Sequence, residues 1–231
     1  MATFTRTDHS APRPTSAGPL RVSELWRYPV KSLGGEQIDE TEVLADGIAG
    51  DRLIHVRRPD GRVVTSRTHP RLLGLHGSLA PDGSALIDGV PWNDPATLAA
   101  VRDAAGSDVG VFQYDGPERF DILPLSIITD GAVEALGVDR RRLRPNIVIG
   151  GVEGLAEREW EGRTIRIGTA VIELVQLRPR CVMTTFDPDT LDQDHGVLRR
   201  IVREFGGTMA LDSAVLEPGR IRVGDAVTLL D

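Results

Sequence analysis

The chain has 231 residues, of which 40% are hydrophobic, and this is enough to bury one substantial core or two small ones. The 27 basic and 34 acidic residues give a formal net charge of −7, which argues against nucleic acid or an anionic membrane as the main partner. The single cysteine excludes an internal disulfide and any iron–sulfur or zinc site built from several thiolates. No apolar run is long enough to span a membrane, and the first twenty residues lack the apolar segment of a secretory signal. We therefore expect a cytoplasmic protein.

The N-terminal part of the chain predicts a short leader followed by a small β domain. Residues 1–19 are rich in Thr, Ser, Pro and Ala, so we expect them to form a disordered leader. Residues 20–118 alternate short extended runs with turn signals, which is typical of a small antiparallel barrel or sandwich. The predicted strands cover 21–27, 52–57, 62–67, 72–79 and 85–87, and a short helix is predicted over 95–105.

Residues 119–231 predict a second domain, again mainly β with a few helices. A strand ends near residue 129 and runs into a helix that Gly137 terminates, and an apolar strand follows at 147–149. A hairpin of 161–167 and 171–176 precedes a helix over 196–205, whose apolar residues recur at helical spacing before two glycines. Paired strands are predicted within 218–230.

Two glycine-containing loops, at residues 28–35 and 46–52, combine backbone freedom with charge. Glycine lets a backbone approach an anion closely, while Lys31, Ser32 and Arg52 supply charge and a hydroxyl group. Lys31 is also the only lysine among the basic residues, and its compact ammonium group binds differently from a guanidinium. The alternative is that both loops are ordinary turns and Lys31 is a solvated surface residue.

The only cysteine, Cys181, lies between two arginines in the sequence Arg-Pro-Arg-Cys-Val-Met-Thr-Thr-Phe-Asp-Pro-Asp-Thr at 178–190. Arg178 and Arg180 favour a thiolate, and the segment follows a predicted strand, where functional loops are common. The Asp-Pro-Asp-Thr sequence predicts a turn that closes this loop. The alternative is that Cys181 is a small buried hydrophobic residue, as free cysteines usually are.

Several separated motifs together resemble the MOSC domain family, which includes the C-terminal domains of molybdenum cofactor sulfurases and amidoxime-reducing enzymes. These are Tyr-Pro-Val-Lys-Ser at 28–32 with Gly-Asp-Arg at 50–52, Arg-Pro-Asn at 144–146, the Arg-Cys run at 180–190, and Gly-x-Ile-x-Val-Gly-Asp at 219–225. The resemblance implies a MOSC β-barrel domain over 119–231, preceded by a smaller N-terminal β-barrel domain over 20–118.

The same resemblance implies a molybdenum cofactor, molybdenum held by molybdopterin, with Cys181 as the protein ligand of the metal. The cofactor-binding residues that it implies are Lys31, Ser32, Arg52, Arg144, Asn146, Arg180 and Cys181. The catalytic candidates are Cys181 and Asp187, where Asp187 either orients the cysteine or delivers a proton; the alternative is that it caps the turn. We interpret the arginines at 140–142 as a solvated basic turn.

The implied activity is reduction of N-hydroxylated small molecules by oxygen-atom transfer at the molybdenum. Because the chain holds no iron–sulfur cluster, its electrons must come from an external donor protein of the ferredoxin, flavodoxin or cytochrome type; pyridoxal phosphate is not expected. Two alternatives stay open. In one, Cys181 carries sulfur as a persulfide received from a sulfur donor. In the other, the protein binds the cofactor without turnover.

Departures from the family pattern lie beside the expected metal site and affect the substrate class more than cofactor binding. Leu191 stands where many relatives have glycine, the polar segment at 192–195 replaces their usual loop, and Pro179 replaces a small polar residue. The five histidines show no metal-ligand spacing. His195 alone is a candidate for donating a proton to a substrate.

Overall fold

The computed structural model describes residues 18–114 and 119–230, so most of the predicted leader, residues 1–17, lies outside the described part. The α-helices are α1 (Pro95–Ala105), α2 (Asp130–Leu136) and α3 (His195–Phe205). The strands are β1 (Arg21–Arg27), β2 (Glu36–Ile38), β3 (Glu40–Leu44), β4 (Gly47–Ile48), β5 (Ile54–Arg57), β6 (Val63–Val64), β7 (Gly77–Leu79), β8 (Ala85–Ile87), β9 (Val90–Pro91), β10 (Gly110–Gln113), β11 (Leu125–Thr129), β12 (Ile147–Gly150), β13 (Arg163–Ile167), β14 (Ala170–Pro179), β15 (Thr208–Glu217), β16 (Gly219–Arg222) and β17 (Val227–Leu230). Short 3-10 helices cover Pro70–Gly74, Arg140–Leu143, Ala156–Trp160 and Val182–Thr185. The fold is therefore mainly β with a few helices, as predicted.

An eight-stranded sheet forms the centre of the molecule, in the order β17-β13-β14-β15-β11-β12-β1-β2. Only β11 and β12 are parallel in this sheet, and the other neighbours are antiparallel. Its core is built from alternating apolar side chains of these strands, including the fully buried Leu25, Ile127, Ile147 and Ile172. Strands β1 and β2 come from the N-terminal half, so both halves of the chain contribute to one sheet.

Three small sheets surround the central one, in the orders β10-β5-β6, β16-β3-β4 and β7-β8-β9. The first contains the predicted hairpin, in which Val56 pairs with Val64. The second joins β3 to β16, strands that lie almost at opposite ends of the chain, with Thr41 opposite Ile221. A second core of mostly β-branched and leucine side chains fills the N-terminal part, and α1 packs onto it through Val101 and Ala105.

Helices α2 and α3 share a third core on one face of the central sheet. The Thr129 hydroxyl accepts a hydrogen bond from the Ala132 N–H at 3.1 Å, which caps the start of α2. Helix α3 buries Val197, Ile201 and Phe205 on one face. Within the described residues, no helix combines the length and apolarity that crossing a lipid bilayer requires.

Most predicted elements are present, but several differ in their bounds; the strand predicted at 62–67, for example, is limited to Val63–Val64. The extended run predicted at 72–79 is wrong in its first half, because Pro70 starts a 3-10 helix that buries Leu72 and Leu73. Strand β14 continues to Pro179, which pairs with Thr208, so the cysteine loop begins one residue before Cys181 rather than at Arg178. Cys181 therefore lies two residues beyond the end of an interior strand of the central sheet.

Candidate functional site

A cleft of about 300 Å³ lies between the N-terminal and C-terminal parts of the chain, and most of the predicted site residues line it. Of the eight predicted site residues, the structure brings six to the wall of the cleft: Lys31, Ser32, Arg52, Arg144, Arg180 and Cys181. Asn146 and Asp187 do not line it. These six come from four separate loops, so the fold gathers residues that the sequence places up to 150 positions apart, from 31 to 181.

Cys181 immediately precedes the 3-10 helix Val182–Thr185 and is half-buried. Its carbonyl accepts hydrogen bonds from the Thr184 N–H at 3.1 Å and from the Thr184 hydroxyl at 2.9 Å. The Asp194 N–H bonds to the Thr185 carbonyl at 2.8 Å and closes the loop behind it. The backbone around the thiol is therefore held from both sides, with the side chain facing the cleft.

Three of the cleft residues have left-handed backbone conformations that side chains rarely adopt. Their φ angles are +74° at Ser32, +52° at Arg52 and +51° at Arg144. Such a conformation costs a non-glycine residue roughly 1–2 kcal/mol. All three polar side chains line the cleft. Residues in such sparsely populated backbone regions cluster at functional sites.

Asp51 binds three residues behind the cleft wall: Tyr28, Arg52 and Asn146. Its carboxylate is fully buried, accepts the Tyr28 N–H at 2.7 Å and pairs with the Arg52 guanidinium. The Asn146 amide donates to the same carboxylate at 3.3 Å, and its oxygen accepts the Ser126 N–H at 3.2 Å. Asn146, predicted to contact a cofactor, therefore lies behind the cleft wall, where it hydrogen-bonds to Asp51.

Lys31 reaches the cleft with only 12% of its side chain exposed. Its ammonium group lies 2.8 Å from the Asp121 carboxylate, which also pairs with Arg67 at 2.7 Å. Burial opposes ionisation of Asp121, but the hydrogen bond and charge of Lys31 outweigh it and hold the pKa of Asp121 below its ordinary value. Asp121 also lines the cleft, and the sequence alone gave no signal for it.

Arg178, near the end of β14, and Arg180, just after it, both line the cleft. Arg178 pairs with the fully buried Asp212, whose pKa is raised mainly by burial. Arg180 donates to the Leu143 carbonyl at 2.6 Å, but its Nε and Nη1 atoms are buried and have no hydrogen-bond partner within the described part of the chain. Burial, and then the charge of Arg178, lowers the pKa of Arg180 to about 9, which leaves it cationic at neutral pH.

Arg144, like Arg180, lines the cleft and has no carboxylate partner among the described ion pairs. Its guanidinium stacks on the Tyr28 ring at 4.2 Å and donates to the Leu33 carbonyl at 2.6 Å. Burial lowers the pKa of Arg144 to about 10, so it too is charged at neutral pH. Two uncompensated guanidinium groups in one cleft favour an anionic ligand, although the whole chain is negatively charged.

The arginines at 140–142 are not one solvated turn. Arg140 and Arg141 keep 40% and 34% of their side chains exposed, but Arg142 keeps 11% and lines the cleft. Its guanidinium donates to the Thr185 carbonyl and to the Asp187 carboxylate, both at 2.9 Å. The solvated interpretation is therefore wrong for Arg142, because the 3-10 helix turns this one side chain inward.

Asp187 caps the turn that closes the cysteine loop. Its carboxylate accepts the N–H groups of Asp189 and Thr190, both at 3.0 Å, and pairs with Arg142. These backbone hydrogen bonds and the charge of Arg142 hold the pKa of Asp187 below its ordinary value. At neutral pH the group is ionised, and its contacts correspond to the turn-capping alternative.

The residues that depart from the family pattern lie on the outer side of this loop. Leu191 has φ +62° and contacts Gly74, where an added Cβ would lie 3.2 Å from the Leu191 side chain. His195 is the first residue of α3, is exposed and does not line the cleft. The proton-donor role considered for His195 therefore has no support in its position.

The donor set of the cleft fits an anionic cofactor with a thiophilic metal. Arg180 offers two buried N–H groups that the described residues leave unsatisfied, and such donors are costly to bury without a partner. Ser32, Arg52 and Arg144 surround the same space, and Cys181 supplies a sulfur ligand for a soft metal.

Comparisons with known proteins agree with these features. Residues 19–115 match the family model of the MOSC N-terminal beta barrel domain, and residues 129–228 match that of the MOSC domain. The chain is 29% identical to mitochondrial amidoxime-reducing component 1 of Homo sapiens, in an alignment that covers 90% of this chain and 82% of that protein. It is 27% identical to mitochondrial amidoxime reducing component 2 of Macaca fascicularis, over 73% of this chain and 67% of the relative.

A solved structure shows the same fold. The YUAD protein from Bacillus subtilis superposes with a TM-score of 0.51 at 16% identity, and the match covers 92% of this chain and 96% of that one. The two family models together extend over both halves of the chain and include every cleft residue named above except Asp121, which lies between the two matched ranges. The chain therefore belongs to the MOSC domain family and carries the MOSC N-terminal β-barrel domain ahead of the MOSC domain.

Proposed function

We propose that this protein is a molybdenum-cofactor-dependent oxidoreductase that reduces N-hydroxylated compounds. The observation that carries the proposal is the pairing of a half-buried thiol, Cys181, with two guanidinium groups, Arg144 and Arg180, that have no carboxylate partner among the described residues. The names of the amidoxime-reducing relatives support the substrate class. The cytoplasmic location and an external electron donor remain part of the proposal.

Each cleft residue has a distinct task in this proposal. Lys31, Arg52, Arg144 and Arg180 bind the anionic tail of the cofactor, and the Ser32 hydroxyl adds a hydrogen bond. Cys181 contributes its thiolate to the metal, and the hydrogen-bonded loop around it fixes the position of the sulfur. When bound, the cofactor supplies a two-electron redox centre with an exchangeable oxygen position.

The net reaction sets what must be supplied from outside the chain. Reducing an N-hydroxyl group breaks the N–O bond, consumes two electrons and two protons, and releases water. The electrons come from a donor protein of the ferredoxin, flavodoxin or cytochrome type, because one cysteine cannot hold an iron–sulfur cluster. Asp187 is ionised and hydrogen-bonded to the loop, so its proposed role is to hold Arg142 and the cysteine loop in place.

The test is reduction of benzamidoxime with a chemically reduced viologen dye, which removes the need for the natural electron donor. The wild-type protein, expressed in a host that makes the cofactor, should turn over, and Cys181→Ala should lose at least about a hundredfold in rate. The matched control is Arg203→Ala, since Arg203 is 75% exposed and pairs only with Glu204 among its described ion pairs. Loss of activity in the control, or full activity in Cys181→Ala, contradicts the proposal.

The sulfur-carrier alternative rests on the same thiol and makes a different prediction. A persulfide on Cys181 adds the mass of one sulfur atom and is removed by a thiol reductant. Mass spectrometry of the intact protein that finds this adduct, together with protein free of molybdenum and pterin, would favour the carrier over the reductase.

A further inference from the structure

A second cavity, of about 250 Å³, opens next to the cleft between the loop at 28–35 and the cysteine loop. Its wall includes the rings of Trp26, Tyr28 and Phe186 and the apolar side chains of Leu73, Met183 and Pro188. We call this space the side cavity. A mostly apolar wall with a few polar groups is the usual composition of a small-molecule site.

The side cavity and the cleft are adjacent but have different linings. They share Arg142, Arg144 and Met183, so these three side chains form the boundary between them. Cys181 and Lys31 line the cleft and not the side cavity, while Tyr28 and Phe186 line the side cavity and not the cleft. A molecule in the side cavity therefore lies one side chain away from the space in front of the thiol.

The aromatic wall is held in place by packing. A Cβ atom at Gly35 would overlap the Tyr28 ring, and one at Gly34 would lie 2.9 Å from the His76 ring. The indole N–H of Trp26 donates to the Glu24 carboxylate at 2.8 Å, which fixes the orientation of that ring. The cavity is thus preformed, and binding a flat ring requires little reordering of its wall.

Two polar groups at the side cavity have unused binding capacity. Tyr28 is only 2% exposed, and its buried hydroxyl has no hydrogen-bond partner within the described residues. Burial raises the pKa of Tyr28 to about 12, so the hydroxyl stays protonated and can donate. Arg144 stacks on the same ring and lacks a carboxylate partner, whereas Arg141 and Arg142 are paired with aspartates.

We propose that the side cavity binds a single planar aromatic ring bearing a carbonyl or carboxylate group. The ring packs against Trp26 and Phe186, and its oxygen accepts hydrogen bonds from the Tyr28 hydroxyl and from Arg144. Arg144 lies on the boundary between the two spaces and has five N–H donors, enough to bind the cofactor on the other side as well. The volume agrees, because a cavity of about 150 Å³ holds a benzene molecule and the remainder accommodates one substituent. Because the side cavity adjoins the cleft, we assign it to the organic part of the substrate. This assignment rests on the proposed function.

The experiment is titration of the purified protein with benzoate, followed by calorimetry and by the fluorescence of Trp26. We expect one benzoate per chain and a fluorescence change that Trp26→Phe removes while calorimetric binding persists. Cyclohexanecarboxylate, which has the same charge and no flat ring, should bind more weakly. Tyr28→Phe should weaken benzoate binding about tenfold, which corresponds to one lost hydrogen bond to a charged group.

Controls separate the side cavity from the cleft and from unfolding. Tyr28→Phe removes only an unpartnered hydroxyl, so its melting temperature should stay at or above that of the wild type. Cys181→Ser should bind benzoate like the wild type, since Cys181 does not line the side cavity. Benzoate binding that is lost in Cys181→Ser, or equal binding of both carboxylates, overturns the proposal.

A comparison of protein with and without bound cofactor distinguishes the two proposals. Binding of benzoate to both forms supports the side cavity as a separate subsite. Binding only to cofactor-free protein would mean that the cofactor occupies this space, and it overturns the inference while leaving the molybdenum enzyme intact. Benzoate binding to a protein that never acquires molybdenum supports the side cavity and contradicts the proposed function alone.

Discussion

Lys31 shows how a single residue's partners decide what the cleft can bind. The one lysine in the chain reaches the cleft, but its ammonium group is already paired with Asp121 at 2.8 Å. An anionic ligand that uses Lys31 must therefore compete with a carboxylate of the protein itself. The buried guanidinium groups of Arg144 and Arg180 face no such competitor among the described ion pairs.

Asp121→Asn should strengthen the binding of inorganic phosphate to cofactor-free protein at neutral pH. Removing the competing charge frees Lys31 and Arg67, and an ion pair of this exposure is worth at most about 1 kcal/mol, equivalent to about fivefold in affinity. Titration calorimetry measures the change, with Asp108→Asn as the control because Asp108 pairs with Arg58 elsewhere. Weaker phosphate binding in Asp121→Asn would mean that Asp121 positions Lys31 instead of competing for it.

Asp187→Asn should lower the melting temperature at pH 7, and the difference from wild type should shrink in acid. The hydrogen bonds from Thr190 and Asp189 and the charge of Arg142 depress the pKa of Asp187 in the folded state. A depressed carboxyl pKa adds stability that is complete above the unfolded value, about 4, and is lost as the pH falls through the folded value. Melting curves between pH 7 and pH 3 test this; an unchanged melting temperature with an altered pH profile of turnover would favour proton delivery.

Among the secondary-structure elements, helix α3 is stabilised mainly by the packing of one apolar face. Ile201 is fully buried in the core shared with α2, and the adjacent Val202 is 60% exposed. The sequence predicts the helix and its end at the two glycines after Phe205, but the apolar spacing also assigns Val202 to the packed face, which the structure leaves exposed. The site elements are harder to predict, since short 3-10 helices such as Arg140–Leu143 have no long periodic pattern.

Ile201→Ala should destabilise the protein by about 2–5 kcal/mol, because it leaves a cavity beneath α3. Val202→Ala, one residue away and facing solvent, should change the free energy of unfolding by less than about 0.5 kcal/mol. Denaturant unfolding of the two variants provides the comparison. Equal costs at the two positions would contradict the assigned orientation of α3.

At the scale of the whole molecule, the cleft depends on pairing between distant parts of the chain. Strand β1 pairs with β12, and β3 pairs with β16, so the two halves of the chain share two sheets. Sequence patterns identify the separate strands and the loop motifs, which is why Lys31, Arg52 and Cys181 could be predicted. They carry no signal for long-range partners, so the contacts of Asp51, Asp121 and Arg142 could be identified only from the folded structure.

The most direct test of the account is the molybdenum and pterin content of protein purified from a host that makes the cofactor. Elemental analysis and the fluorescence of released pterin should give close to one of each per chain for the wild type and for Arg203→Ala. Cys181→Ala should lose molybdenum, and Arg180→Ala should lose pterin as well, because two buried donor groups of the cleft are removed. Wild-type protein that contains neither molybdenum nor pterin would contradict the central claim.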